Sequence, residues 1–219
     1  MDWPLLSTLP PAERERLLAS TRPHRFGRGE VLVREGDAAE SLHLVEDGRL
    51  AVRLTTASGD NATLNVLGPG DWFGELSLLD ERPPTRSATV VALEPGLTRV
   101  LPGTAFAELR RRNPGADRLL LALMARRIEE LSARLVEAMY DALDRRVHRR
   151  LADLVRVYGS EAQGPVSLPV TQELLAELAG GTRPSVNQVL QRMVHEGCVE
   201  LRRGRITVLD PHRLAVRAR

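Results

Sequence analysis

The sequence predicts an α+β chain in three consecutive parts: an N-terminal double-stranded β-helix (a jelly-roll barrel), a long helix, and a C-terminal winged helix-turn-helix. Three observations carry this. Short β-type runs recur between Arg25 and about Leu101. An apolar stripe at strict three-four spacing runs through the residues after Pro114. Two short helical patterns and a basic hairpin close the chain. The expected boundaries are residues 1–115, 116–143 and 144–219.

The first part opens with a short amphipathic helix, Pro10 to Ser20, whose apolar contacts are Leu17 and Leu18. The β-type runs that follow are Glu30–Val33, Ser41–Val45, Leu50–Leu54, Ala62–Leu67, Ser87–Leu93 and Thr98–Leu101. Gly27, Gly29, Gly36-Asp37, Asp47-Gly48, Ser58-Gly59-Asp60 and Gly68-Pro69-Gly70-Asp71 punctuate them as turns. Many short strands at regular spacing imply a small barrel rather than an open sheet. No long internal repeat is present.

The second part is a helix of almost thirty residues. Leu121, Met124, Ile128, Leu131, Leu135, Ala138 and Ala142 alternate three and four apart, with Arg and Glu around them. Such a stripe either packs onto the chain's own barrel or meets a partner helix. Strict heptad spacing favours the partner, and the simplest partner is a second copy, giving a homodimer.

The third part starts with an Arg-rich helix near Asp144 and a loop, Gly159–Pro165. Thr171–Ala179 then reads as a short helix, Gly180-Gly181 as a turn, and a second helix begins at Thr182, an N-cap type with Pro184 in the first turn. Val186, Val189, Leu190 and Met193 form its buried face. Arg183, Asn187, Gln188 and Gln191 lie opposite, with side chains able to hydrogen-bond base edges in a major groove. Cys198–Leu201 and Ile206–Leu209 flank the turn Arg202-Arg203-Gly204-Arg205, so Arg203 and Arg205 sit on a wing. A polar helix face alone is often just solvated. Joined to forked donors and a basic wing, it fits double-stranded DNA.

Composition narrows the classes. The chain has 219 residues, 42% hydrophobic, enough for two domains with real cores. No apolar run approaches the ~20 residues of a membrane helix, and the start lacks a basic-then-apolar leader, so no membrane partner and a cytoplasmic location are expected. The lone Cys198 forms no internal disulfide and supports no thiolate-ligated iron–sulfur cluster. His24, His43, His148, His195 and His212 are scattered, without metal-ligand spacing, so neither a metal site nor a catalytic residue is assigned and an enzyme is not expected. Every basic residue is Arg. Residues 144–219 hold thirteen arginines against eight acidic groups; the remainder holds eighteen against twenty-one. An acidic front and basic back suit a sensing module joined to one that meets a polyanion.

The most informative stretch is Phe73 to Ala92, FGELSLLDERPPTRSATVVA. Gly74 and Glu75 stand at one end and Arg86, Ser87 and Ala88 at the other, around a short apolar turn and a Pro-Pro-Thr loop. Bare backbone suits a phosphate, a carboxylate suits a ribose hydroxyl, and one guanidinium suits one negative charge. An Arg86–Glu75 ion pair that merely staples the barrel is the alternative. The segment resembles the phosphate-binding cassette of the cyclic-AMP receptor protein (CRP/FNR) family, with Gly74-Glu75-Leu76-Ser77 and Arg86-Ser87-Ala88 in its two halves.

The resemblance extends over the whole chain and carries expectations. It assigns Glu75 to the ribose 2′-OH, Arg86 to the phosphate, and Ser87 with the amides around Ala88 to the phosphate cradle. Leu131-Ser132 falls on the family's base-reading Thr-Ser pair, with the threonine replaced. Thr171 and Gln172 match the first motif helix, Arg183 the guanine-reading arginine and Ser185 a phosphate-contacting hydroxyl, while Pro184 and Gln188 depart from the usual second and third readers. It thus implies a homodimeric regulator of palindromic DNA, needing no cofactor, with cyclic AMP as leading effector, cyclic GMP second and no nucleotide third. RNA polymerase is a further candidate partner. The other open reading is a cyclic-nucleotide sensor that regulates a partner protein.

Overall fold

In the computed structural model the described residues are 3–56, 59, 61–79, 85–113, 115–159 and 164–217. They resolve into two compact units, Met1–Leu54 with Leu67–Ser132 and Thr55–Val66 with Ala133–Arg219.

The barrel strands are β1 (Arg22–Phe26), β2 (Val31–Val33), β3 (Ser41–Asp47), β4 (Leu50–Thr55), β5 (Asn61–Leu67), β6 (Trp72–Phe73), β7 (Thr89–Ala92) and β8 (Gly96–Pro102). They form two four-stranded sheets, β1-β8-β3-β6 and β2-β7-β4-β5. Each strand run read from the sequence finds its counterpart. Two strands were not anticipated. β1 (RPHRF) lacks apolar alternation because it is an edge strand, where Pro23 and charge are tolerated. β6 has only two residues. Gly48 sits at φ +84, and a Cβ there would come within 2.8 Å of the Pro95 carbonyl oxygen, so the β3–β4 turn admits glycine only.

Register decides which side chains meet. In the antiparallel pairs His24 faces Thr98, Thr98 faces Val45, and His43 faces Phe73. Since alternate residues share a face, these groups line one side of the first sheet.

The first unit's core joins Leu6, Leu17, Leu42, Leu44 and Leu101 to Phe106 and Leu109 of α2 (Gly103–Arg112), a helix the sequence reading overlooked. α1 (Pro11–Ala19) buries Leu17, with Leu18 packed against the cluster.

α3 (Gly115–Tyr140) carries two stripes. Ala116, Leu119, Leu120 and Leu123 are buried in the barrel's core. The heptad positions Leu121, Ile128, Leu131 and Leu135 are 51–69% exposed. The stripe on the barrel is therefore largely a different one: of the heptad positions Met124 is half-buried against the core, while the four leucine and isoleucine positions stay open. Ala142 does not belong to the heptad stripe. α3 ends at Tyr140, and Ala142 is extended (φ −60, ψ 151) as the N-cap of α4 (Leu143–Tyr158). Val136, Met139 and Tyr140 widen the apolar surface at the helix end instead.

Crossing that bend, Arg145 and Arg149 pair with Asp141, while Arg149 and the buried Arg150 pair with Glu137. α4 buries Val147, Leu151 and Leu154. After α4 the second unit continues with β9 (Val166–Leu168), α5 (Gln172–Ala179), α6 (Arg183–His195), β10 (Val199–Arg202), β11 (Arg205–Val208) and α7 (Pro211–Arg217). Its sheet runs β10-β11-β9, so the expected two-stranded wing gains a third strand from the residues just after the expected loop.

Candidate functional site

Gly74 begins the 3-10 turn Glu75–Leu78 at φ +85. A Cβ on it would lie 2.3 Å from Arg86 Nη1 and 2.6 Å from the Ser41 carbonyl oxygen. Glycine is needed here twice over, for conformation and for space. The bare backbone read from the sequence as a phosphate approach also makes room for the Arg86 head.

Arg86 is 8% exposed. Its Nη1 donates to the Ser41 carbonyl at 2.8 Å and its Nη2 to Ser41 Oγ at 3.1 Å. Its main chain is clamped on both sides: the Arg86 amide donates to Asp37 O, and the Gly36 amide to Arg86 O. The stapling ion pair between Arg86 and Glu75 does not form; Glu75 instead has Arg127 Nε at 3.8 Å. Burial holds the Arg86 guanidinium below its usual range, and Glu75, Asp37 and Glu40 pull back only through space. A desolvated cation with two of its five donors on Ser41 and, among the described residues, no carboxylate in contact is a half-satisfied group, and an anion completes it.

The remaining cassette residues divide. Ser77 is buried and its hydroxyl donates to the Gly74 carbonyl at 2.7 Å, so it braces the turn. Leu76 and Ala88 are half-buried, and Ser87 is exposed. Asp80 to Pro84, including both prolines of the loop, lie outside the described residues. Leu131 and Ser132 are exposed on α3. The group from α3 that meets the cassette is Arg127, one turn before Leu131, which the sequence reading missed; its only signal was that four-residue offset.

Behind Ser41 lies His43, 5% exposed and stacked on Phe73 with centroids 4.5 Å apart. Burial, then the charge of Arg86 and the nearby His24, lower its pKa to about 3.

In the second unit, Thr171 and Thr182 cap α5 and α6, accepting from the Leu174 and Ser185 amides. Thr182 and Ser185 hydroxyls lie 2.9 Å apart. Val186, Val189, Leu190 and Met193 are buried as expected; Arg183, Gln188 and Gln191 are exposed, and Asn187 and Ser185 half-buried. The α5 start, the α6 start and the wing enclose a cleft of about 370 Å³ lined by Thr171, Gln172, Arg183, Arg202, Arg203 and Arg205, with Glu173 as its acidic member. Arg203 is exposed at the hairpin tip, while Arg205 donates to Ser167 on β9 at 2.9 Å. Arg183 Nε stands 3.9 Å from Glu173. An exposed helix of forked donors beside a cleft with four arginines is built for a phosphate-lined duplex.

Among the described residues no group of three or more His, Cys, Asp or Glu stands close enough to hold a metal, and no helix is long and apolar enough to cross a membrane.

Comparison with known proteins finds two family matches, one for each end of the chain. Residues 23–113 match the Cyclic nucleotide-binding domain family and residues 145–217 the Crp-like helix-turn-helix domain family. The cyclic AMP receptor protein of Thermus thermophilus is 34% identical, over 94% of this chain and 93% of that one. A CRP-like cAMP-activated global transcriptional regulator of Mycobacterium tuberculosis is 29% identical over 95% and 93%. The crystal structure of Thermus thermophilus catabolite activator protein superposes with a TM-score of 0.56 at 32% identity, covering 98% of each chain. With a nucleotide-binding barrel ahead of a DNA-binding winged helix-turn-helix, and likeness along nearly its whole length, this chain belongs to the CRP/FNR family of transcriptional regulators.

Proposed function

We propose that the protein is a homodimer that reads a two-fold palindrome in DNA and whose affinity for it is modulated by cyclic AMP bound in the barrel. In this reading residues 1–115 are the sensor, 116–143 the dimer helix and 144–219 the DNA reader. Arg86 carries it: a buried guanidinium that spends two donors on Ser41 and, among the described residues, has no carboxylate within ion-pair distance suits one phosphate charge. Glu75 takes the ribose hydroxyl, while Ser87 and the amides of Ser87 and Ala88, which have no backbone partner among the described residues, complete the phosphate site. Arg183, Asn187, Gln188 and Gln191 face base edges; Thr171, Gln172, Ser185, Arg203 and Arg205 meet or order the backbone contacts. Likeness to a cyclic AMP receptor protein and to a cAMP-activated regulator favours cyclic AMP over cyclic GMP.

Isothermal titration of nucleotide-stripped protein tests the sensor. Cyclic AMP binds more tightly than cyclic GMP, and Arg86→Leu abolishes both while the barrel keeps its fold, because the change retains apolar bulk and removes the charge. Unchanged affinity in that variant refutes the phosphate assignment; no binding by the unmodified protein favours a factor without a nucleotide effector.

A further inference from the structure

We propose that His43, as its Nδ1–H tautomer, positions the guanidinium of Arg86 through the hydroxyl of Ser41; this rests on Arg86 being the anion-binding group.

The geometry is a chain of four side chains from three separate stretches. Arg86 Nη2 lies 3.1 Å from Ser41 Oγ, Ser41 Oγ 3.3 Å from His43 Nε2, and His43 Nδ1 3.3 Å from Thr98 Oγ1. Ser41 and His43 are two apart on β3 and share a face, and Thr98 comes from β8 alongside. All but Ser41 are buried.

The direction of each bond follows from the one group with no choice. A guanidinium only donates, so Ser41 Oγ accepts from Arg86. Its second lone pair could take an Nε2–H only by crowding another donor beside the Arg86 charge, so the Ser41 proton goes to His43 Nε2, the lone-pair nitrogen. The ring proton is left on Nδ1 and donates to Thr98 Oγ1. An imidazolium would set a second donor against Ser41 Oγ beside the Arg86 charge, and burial together with Arg86 and His24 keeps the ring neutral.

The consequence for binding is orientation. With Ser41 O and Oγ both engaged, the guanidinium is gripped along one edge, and its remaining N–H groups are presented to the ligand. Without His43 the Ser41 hydroxyl is free to rotate, and the plane of the fork loosens. Phe73, against which the ring stacks, directly precedes Gly74, so the same residue also seats the start of the cassette.

Two spectroscopic readouts decide this independently of any nucleotide. Nitrogen-15 spectra of the imidazole in the full-length protein show an unprotonated Nε2 and a protonated Nδ1. The Arg86 side-chain spectrum shows Nη signals separated by hindered rotation; these merge in His43→Phe, which keeps the stack but neither hydrogen bond. In His43→Gln, whose amide oxygen takes the place of Nε2, they stay apart. Titration with cyclic AMP follows the same order: His43→Phe binds about five- to tenfold more weakly, the size of one lost neutral hydrogen bond, and His43→Gln within about twofold of the parent. An Nε2–H tautomer, or Nη signals indifferent to His43→Phe, overturns the proposal. Intact positioning signals in a protein that binds no cyclic nucleotide leave His43's role standing and remove the ligand reading instead.

Discussion

His43 also leaves a mark on stability. Its ordinary pKa is 6.5 and its folded value about 3, so between these limits the unfolded chain takes up a proton that the native barrel refuses. Stability from this site is intact above about pH 6.5 and falls as the solution is acidified toward pH 3. Urea unfolding at pH 7 and pH 5, at one protein concentration, should show the parent losing about 2 kcal/mol more than His43→Phe over that interval. Parallel losses would mean that His43 is protonated in the folded state. Arg86 is a different case at the same scale, because a guanidinium shifted downward by burial is still charged throughout this range.

The heptad stripe belongs to the scale of the element. Since α3 meets its own barrel through Ala116, Leu119, Leu120 and Leu123, substitutions at Leu131 and Leu135 spare the core while charging the open stripe. Leu131→Asp with Leu135→Asp should sediment as a monomer with unchanged barrel stability; a persistent dimer would place the interface elsewhere. The elements most legible in the sequence were those with a period, namely the apolar strand runs, the α3 heptads and the buried face of α6. β1 escaped because an edge strand with Pro23 shows no alternation, and β9 because three residues are too few. The cassette was legible at Gly74, Glu75 and Arg86, where the chemistry is local to one motif. Ser41, His43 and Arg127 were not, since strand register and helix packing bring them in from 45, 43 and 41 residues before or after Arg86. No pattern along the chain encodes such distances.

At the scale of the whole molecule the question is how much an effector has to do. Leu131 stands where the family resemblance expects a threonine; on the proposed reading it gives up a polar contact to the base and adds apolar surface to the open stripe. Both changes reduce a ligand's differential contact with two states, the source of any population shift. The nucleotide-free protein should therefore bind its palindrome appreciably, with half-sites centred ~34 Å apart, and cyclic AMP should add roughly tenfold or less, about 1.4 kcal/mol of coupling. Leu131→Thr should weaken binding without nucleotide and enlarge the response. Operator affinity with and without saturating cyclic AMP in one buffer measures this; a hundredfold gain from a baseline no better than random DNA would refute it.

The arginines of this chain fall into two populations with respect to dissolved ions. Arg150 is 6% exposed, and its bond to Glu137 across the α3–α4 bend lies largely out of reach of counterions. Arg203 and Arg205 on the wing are exposed, so on the proposed reading their attraction to phosphates competes directly with dissolved cations and anions. Rising ionic strength therefore dissolves the complex with DNA well before it loosens the elbow that carries the reading head, and the protein leaves its operator folded.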